Sequence, residues 1–557
     1  MITNRTMLLV LASCLLAWLL GMIFIPVMDI DAAQYASISR EMLDNVSFLQ
    51  VYDLGKDYLD KPPMLFWLSA ISMKIFGVHD WAYRIPSMLF AMLAVYSTYR
   101  LALLFYNKTI AQLSALVLAS SQAMFLLMHD VRCDTMLMGW VAFSLWQMAE
   151  WYENRKWTHF LGAFAAIAGG MMTKGPIALM VPVFAFVPHF ALRREWKQYF
   201  RWEYIPGLLL IALLLVPMSI GLYQQYDLHP GKIVNGVPIQ SGLRFYYWTQ
   251  SFGRYTGENQ YHEMSYFTFL LENMLWSFIP WIILFLAGLV FACRDIIRKR
   301  FRLGKTEECI TTGGFILTYC VLARSQAQLP HYIFVVFPLA SVITARFLHS
   351  LLFTENLKEW KKPVLVIHAV IFVLLWCALI VLMTFVFKNI PRVIAAAAAA
   401  GLLALLYMLF RNRNGGLPLL LKTAFFTVAG INIFLNSFFY PNLLKYQLGN
   451  TAAAVLQEQK IDPAKLVQYK IMESRALHFY AQHIIRRKET ADQLRPDEVV
   501  LTEKDSLSTL QQQFPAMKTI FEGEYFGITM LTLPFLNPAT REKEVTRYVI
   551  ADLDGKP

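Results

Sequence analysis

Five short polar segments in this chain carry residue types that could act on a charged lipid or sugar. The first holds Asp29, Asp31, Asp60 and Lys61, with Arg84 just beyond it. The second holds Asp130, Arg132 and Asp134; the third, Lys174. The fourth has Arg254, Glu258 and His262, and the fifth Arg324 and His331. Carboxylates and cations in one place suit transfer from a phosphate-linked donor. Cations hold a phosphate and stabilise it as it leaves. A carboxylate orients or deprotonates the attacking acceptor.

Each element also has a plainer use. Asp31-x-x-Gln34 fits a helix capping box, and Asp134 could cap the helix that follows it. Lys174-Gly175-Pro176 reads as a helix stop followed by a helix start. Arg324 could serve the same purpose, and His262 and His331 could be incidental. Arg132 and Asp130 could be interfacial, and Tyr246-Tyr247-Trp248 an aromatic belt. Residue types and spacing alone therefore describe a site for an anionic lipid or phosphate.

The elements that position these groups are apolar. Of the 557 residues, 57% are hydrophobic and only 16% charged. That composition excludes an ordinary soluble domain. Apolar stretches long enough to cross a bilayer recur from Met7 to about residue 438. They predict a polytopic α-helical membrane protein with about thirteen transmembrane helices. The spans fall near 7–27, 82–104, 109–128, 135–151, 157–171, 176–192, 205–222, 267–292, 310–323, 331–350, 363–387, 390–410 and 418–438. The first is read as a span and not a signal peptide, because no small-residue cleavage site follows it.

Lys and Arg set the orientation. Arg193, Arg194, Arg298, Lys299, Arg300, Lys361 and Lys362 all fall in loops on the N-terminal side. The positive-inside rule puts that side in the cytoplasm. The five polar segments then share the outer face, where intramembrane charge tends to line functional cavities. The net charge of +12 belongs to these loops, and no nucleic-acid partner is expected. Six scattered cysteines form no metal or disulfide pattern.

The expected domains are residues 1–440, transmembrane and catalytic with outer loops 28–80 and 223–266, and residues 441–557, a small periplasmic α/β domain. In the latter, Glu498–Thr502 and Gly527–Thr532 alternate like strands. The surroundings of Leu456, and the stretch Leu477 to Ile485, read as helices.

Several strings go further. Asp31-Ala32-Ala33-Gln34-Tyr35-Ala36-Ser37-Ile38-Ser39-Arg40-Glu41-Met42 resembles the first outer loop of the lipid A aminoarabinose transferases. These stand with the protein O-mannosyltransferases in the GT-C glycosyltransferase fold. Tyr58-Leu59-Asp60-Lys61-Pro62-Pro63, the amphipathic stretch to Phe76-Gly77, Arg84, Asp134 and Met172-Thr173-Lys174-Gly175 follow in family order. So do Phe252-Gly253-Arg254-Tyr255 to His262, Pro280-Trp281 and Leu329-Pro330-His331-Tyr332. Two positions depart from the family: Ala32 stands where Glu often follows the aspartate, and Asp60 where Glu usually precedes the lysine.

The resemblance implies an inverting glycosyltransferase that uses a polyprenyl-phosphate (undecaprenyl-phosphate) sugar, with a glycolipid such as lipid A or a protein as acceptor. It implies Asp31 and Asp134 as catalytic. Lys61, Arg84, Lys174, Arg254 and Arg324 would bind donor phosphate. Asp60, Glu258, His262 and His331 would serve the acceptor or support the site. No cofactor or metal is expected, although Asp31, Asp60 and Asp134 could form an acidic metal site. A lipid-linked sugar transporter is the alternative of another class. It would show inverted repeats and polar groups at the midplane, which this sequence lacks.

Overall fold

The computed structural model describes residues 4–256, 258, 266–353, 357–412 and 415–554. Helices occupy all thirteen apolar stretches. Among the described residues, seven helices are long and apolar enough to cross a membrane, from Asn4–Phe24 to Pro418–Tyr446. Four shorter apolar helices accompany them: Met64–Phe76, Lys108–Ala119, Ile177–Arg193 and Ile310–Ala323.

Two expected spans are broken, for related reasons. The 109–128 stretch divides into Lys108–Ala119 and Gln122–Leu126. At the break, Ser120 Oγ and Ser121 Oγ bond back to the carbonyls of Leu116 and Leu118, in competition with the helix ladder. The 267–292 stretch divides into Phe269–Ser277 and Ile282–Arg298 around Pro280, which has no N–H to donate. The two breaks serve each other. Gln122 N donates to Ile279 O at 3.0 Å, and the Trp281 indole donates to Ser120 Oγ at 2.9 Å. Backbone groups freed from two ladders are thereby bonded again inside the bundle, as an apolar surrounding demands.

Two helices follow the first long one on the face where the polar segments gather. Asp31–Asp44 packs on Met64–Phe76 through Tyr35, Ile38, Phe66 and Ala70, all buried. Gly77, at φ +85, ends the second helix in a conformation that disfavours any side chain.

The C-terminal segment forms a five-stranded mixed sheet, in spatial order Arg486–Lys488, Leu466–Tyr469, Val499–Glu503, Thr546–Asp552, Lys518–Tyr525. The first three strands are parallel and the last two join antiparallel. Leu466 and Leu501 pack on one face with helix Leu448–Glu458, and Val467 and Val500 on the other with Leu510. A sheet covered on both faces explains the continuous Val499-Val500-Leu501 run.

Two expectations for this segment are corrected. Gly527–Thr532 is turn and loop, and the strand lies earlier, at Lys518–Tyr525. Pairing ends at Tyr525 opposite Thr546, because Phe526 N turns away to donate to Tyr446 O. The helix expected from Leu477 to Ile485 spans only Arg475–Tyr480, after which Ile485 N donates to the His478 ring.

This segment is fastened to the loop after the first helix. The Asp29 carboxylate accepts from Ser474 Oγ at 2.5 Å and Ala476 N at 2.9 Å. Gln447 bonds the backbone of both Val27 and Asp29, and the Tyr480 hydroxyl lies between Val27 N and Asp80. Arg475 pairs with Asp53 at 3.2 Å. Burial is the main force raising the carboxyl pKa of Asp29 and Asp53, against these hydrogen bonds and the Arg475 charge.

Candidate active site

Four helix ends and one loop converge on the face described above. Asp134 lies in the first turn of Cys133–Asn154, and Lys174 is the last residue of Trp157–Lys174. The chain leaves Lys174 through Gly175 at φ +100, so the expected helix stop is present. Its lysine does more than end a helix. Lys174 Nζ donates to Asp134 Oδ1 at 2.5 Å and stands 3.8 Å from the centroid of the Tyr332 ring. The other oxygen, Asp134 Oδ2, is 3.6 Å from His331 Nε2. Asp134 is only 3% exposed, so this charge is buried and paired.

The capping readings of the two aspartates are both overturned. The N-cap of Asp31–Asp44 is Ile30, which has no side-chain bond; Asp31 pairs instead with Arg132, and Gln34 reaches Asp53 at 2.7 Å. The N-cap position before Asp134 belongs to Arg132. That arginine also bonds Asp130 at 3.0 Å, so one guanidinium spans two carboxylates. Burial disfavours its charge, but Asp130 and Asp31 outweigh burial and raise its pKa.

Above this cluster lies a cavity of about 810 Å³. Asp31, Asp60, Lys61, Glu258 and His331 line it, as do Gln34, Tyr35, Tyr58, Arg244 and Tyr332. Burial lifts the Tyr35 and Tyr58 phenols far above their usual range, so both are neutral donors. Asp31 is 33% exposed beside this space, whereas Asp134 and Lys174 sit one layer behind it, against His331 and Tyr332. Lys61, Lys174 and Arg132 are all within electrostatic reach of His331.

The other anticipated residues are placed differently. Arg84 is 1% exposed and does not line the cavity. It donates to the carbonyls of Met22, Ile25, Pro26 and His129 at 2.5–3.0 Å, and its guanidinium is consumed by backbone left over where the first helix ends. The phosphate-binding expectation for Arg84 is corrected accordingly. Arg324 is exposed at the end of Ile310–Ala323 and is not in the cavity lining. His262 and the Arg254 side chain lie outside the described residues. Among the described residues no three His, Cys, Asp or Glu side chains group as metal ligands, so the Asp31–Asp60–Asp134 metal site does not form.

Two contributors escaped sequence reasoning, and a third, Tyr332, was quoted there only as part of a string. Tyr332 stacks on Lys174, Arg244 reaches the cavity, and the hairpin Lys232–Val234/Val237–Ile239 forms part of its wall. Only Asn235-Gly236 between alternating residues signalled that hairpin. Lys232 ties it to Asp57 at 3.1 Å.

Comparison with solved structures decides the architecture. The chain superposes on the ArnT crystal structure from Cupriavidus metallidurans in its apo state with a TM-score of 0.74, at 18% identity over 99% of this chain and 98% of that one. The same score and identity hold for that protein bound to undecaprenyl phosphate.

This is the GT-C fold.

Other relatives agree with a GT-C assignment. Residues 60–220 match the family described as dolichyl-phosphate-mannose-protein mannosyltransferase. An undecaprenyl phosphate-alpha-4-amino-4-deoxy-L-arabinose arabinosyl transferase from Pseudomonas fluorescens is 27% identical over 54% of this chain and 50% of its own length. Its counterpart from Erwinia tasmaniensis is 28% identical over 48% and 46%. The chain thus spans about half the length of these curated relatives. Its sequence resembles the aminoarabinose transferases and the mannosyltransferase superfamily, and the GT-C architecture extends the likeness along the whole chain.

Proposed function

We propose that this chain is an inverting glycosyltransferase. It moves a sugar from an undecaprenyl-phosphate carrier to an acceptor at the periplasmic face of a bacterial inner membrane. Residues 1–440 would form the thirteen-span catalytic domain with its N-terminus in the cytoplasm, and residues 441–557 a periplasmic domain. The observation that carries the reading is one cavity with the exposed carboxylate of Asp31 and the ammonium of Lys61 in its wall, backed by the Asp134–Lys174 pair.

In this reaction the acceptor oxygen bonds to the anomeric carbon as the bond from that carbon to the phosphate oxygen breaks. The electron pair leaves on the carrier phosphate, where Lys61, Arg244 and Arg254 offset its charge. Lys174, already held by Asp134, contributes from behind Tyr332. Asp31 faces the acceptor. A hydroxyl acceptor would pass its proton to Asp31; a phosphate acceptor is already anionic, and Asp31 would then orient it or the sugar. Asp134 holds Lys174 through Oδ1 and stands beside His331, and it acts by positioning Lys174.

The names of the relatives support 4-amino-4-deoxy-L-arabinose carried on undecaprenyl phosphate as the donor, and the resemblance of the outer-loop strings to the lipid A aminoarabinose transferases supports a lipid A phosphate as the acceptor. The family match over residues 60–220 supports a second reading, with a protein hydroxyl as acceptor. The test is reconstitution with labelled undecaprenyl-phosphate sugars, lipid A and an unstructured Ser/Thr peptide. Label moving to lipid A with release of free undecaprenyl phosphate, lost in Asp31→Asn, is the expected result. Label on the peptide would establish the second reading. No transfer by folded protein that binds the carrier would leave lipid-linked sugar transport as the activity.

A further inference from the structure

A second polar cavity lies at the opposite end of the bundle. It occupies about 290 Å³ between the helices Ile282–Arg298 and Phe337–Phe353. Arg346 in its wall is 15 positions beyond His331 along one helical run, roughly 22 Å at the helical rise. The cavity is therefore on the other membrane face from the candidate active site. Gly288 makes the floor: a Cβ there would stand 3.0 Å from both Ile343 O and Phe347 Cβ. A side chain there would force the facing helix to give by a few tenths of an ångström, so the glycine allows the close approach at this level.

Arginines dominate the rim. Arg294, Arg298 and Arg346 line the cavity with one acid, Asp295. That acid is already taken, because Lys299 bonds it at 2.6 Å. Arg346 is fixed in place by Glu308 at 3.3 Å and by the Tyr106 ring 5.0 Å beneath its guanidinium. Glu308 is itself held by Thr311 N at 2.8 Å and Thr311 Oγ1 at 2.6 Å. Arg294 and Arg298 have no ion-pair partner among the described residues, and they stand four apart on one helix, where like charges repel. An anion between them and Arg346 removes that cost. The same helix exposes Val290 and Ile297 outside the cavity and Phe291 in its wall, apolar groups suited to acyl chains. Charge above and hydrocarbon alongside match one chemistry.

We propose that this cavity binds the phosphodiester headgroup of an anionic membrane lipid, in the leaflet opposite the candidate active site. The three guanidiniums hold the phosphate oxygens by charge-assisted hydrogen bonds. The lipid bridges two helices, one of which carries His331 and Tyr332 at its far end.

The test uses the full chain purified in detergent and stripped of lipid. Native mass spectrometry and thermal melting are read with phosphatidylglycerol, phosphatidylcholine and inorganic phosphate as probes. The wild type should retain phosphatidylglycerol in preference to phosphatidylcholine and melt higher with it. Arg294→Ala with Arg298→Ala should lower phosphatidylglycerol affinity by about tenfold or more, each cation near a charged lipid surface being worth a severalfold factor. Both residues are exposed, so that variant should melt as the wild type does without lipid, and Arg294→Lys with Arg298→Lys should restore most of the binding. Equal retention by wild type and the alanine variant would overturn the proposal. So would displacement of the lipid by inorganic phosphate with no preference for phosphatidylglycerol, which would make the site one for a small free anion.

Discussion

The Lys174 ammonium donates to the Asp134 carboxylate at 2.5 Å across a sequence gap of 40 residues, joining the end of one helix to the start of the one before it. Both groups are largely buried, at 15% and 3% exposure. Replacing one partner strands the other, at a cost of about 3–5 kcal/mol. Lys174→Met and Asp134→Leu should each lower stability by that order. The double variant should lose clearly less than their sum, with a coupling of at least about 1 kcal/mol. Denaturant titration of the four proteins gives the coupling; additive losses would mean that the pair is not formed in solution.

Asp31 reaches the cavity wall, as Asp60 and Glu258 also do. Asp31→Asn keeps the shape and removes the base. Transfer to a hydroxyl acceptor should fall by about 10²–10⁴, and transfer to a phosphate acceptor by much less. Rates measured with both acceptor types separate the two cases. Unchanged rates on both would remove Asp31 from the chemistry.

Arg84 gives a control of the opposite kind. Its four carbonyl bonds hold the end of the first helix. Arg84→Met should cost at least about 3 kcal/mol, because buried carbonyls lose a charged donor. The KM for the carrier should be unchanged in whatever fraction remains folded. A stable variant with a raised KM would return Arg84 to the phosphate site.

Acid should loosen the C-terminal segment through His478. This ring is 1% exposed and accepts from Ile485 N, and burial lowers its pKa from 6.5 to about 3. Between those values the unfolded chain binds a proton that the folded chain refuses. Stability is then full above about pH 6.5 and declines as pH falls through the window, by up to about 1.4 kcal/mol per unit. Melting temperatures of wild type and His478→Gln from pH 7 to 4 should diverge, with the wild type steeper. Parallel curves would assign the acid sensitivity elsewhere.

Asp29 tests the fastening of that segment. Asp29→Ala removes an acceptor shared by Ser474 and Ala476 and should speed proteolysis within 441–554, by an amount set by about 1–2 kcal/mol. Asp29→Asn, which keeps one acceptor oxygen, should lie between the alanine variant and the wild type. Equal digestion of all three would show that Gln447 and Tyr480 suffice.

The fold was largely legible in the sequence, since each apolar run had to become a helix whatever its neighbours. The breaks at Ser120 and Pro280 were not, because two helices had to meet before either interruption could be satisfied. Asp31, Asp134, Lys61 and Lys174 stood out because charge between apolar runs is rare. Arg84 misled for the same reason: a guanidinium placed beside a helix end is as useful to backbone carbonyls as to a phosphate, and only contacts tell them apart. Tyr332 stood in a quoted string without a role, and Arg244 gave no signal, being an ordinary residue until a cavity lies next to it. The strand misplaced onto Gly527–Thr532 shows the limit of alternation, which Phe526 defeats with a single bond to Tyr446.

The bond from Ser474 to Asp29 joins positions 445 apart, and Asp31 lies two residues from that knot. During synthesis the first turn of this face emerges early and waits for almost the whole chain. It gains its last supports only when the ribosome has delivered residues 447–480. A nascent or prematurely stopped chain therefore carries the carboxylate without its brace. Order of manufacture thus places assembly of the reacting face after synthesis of the helices.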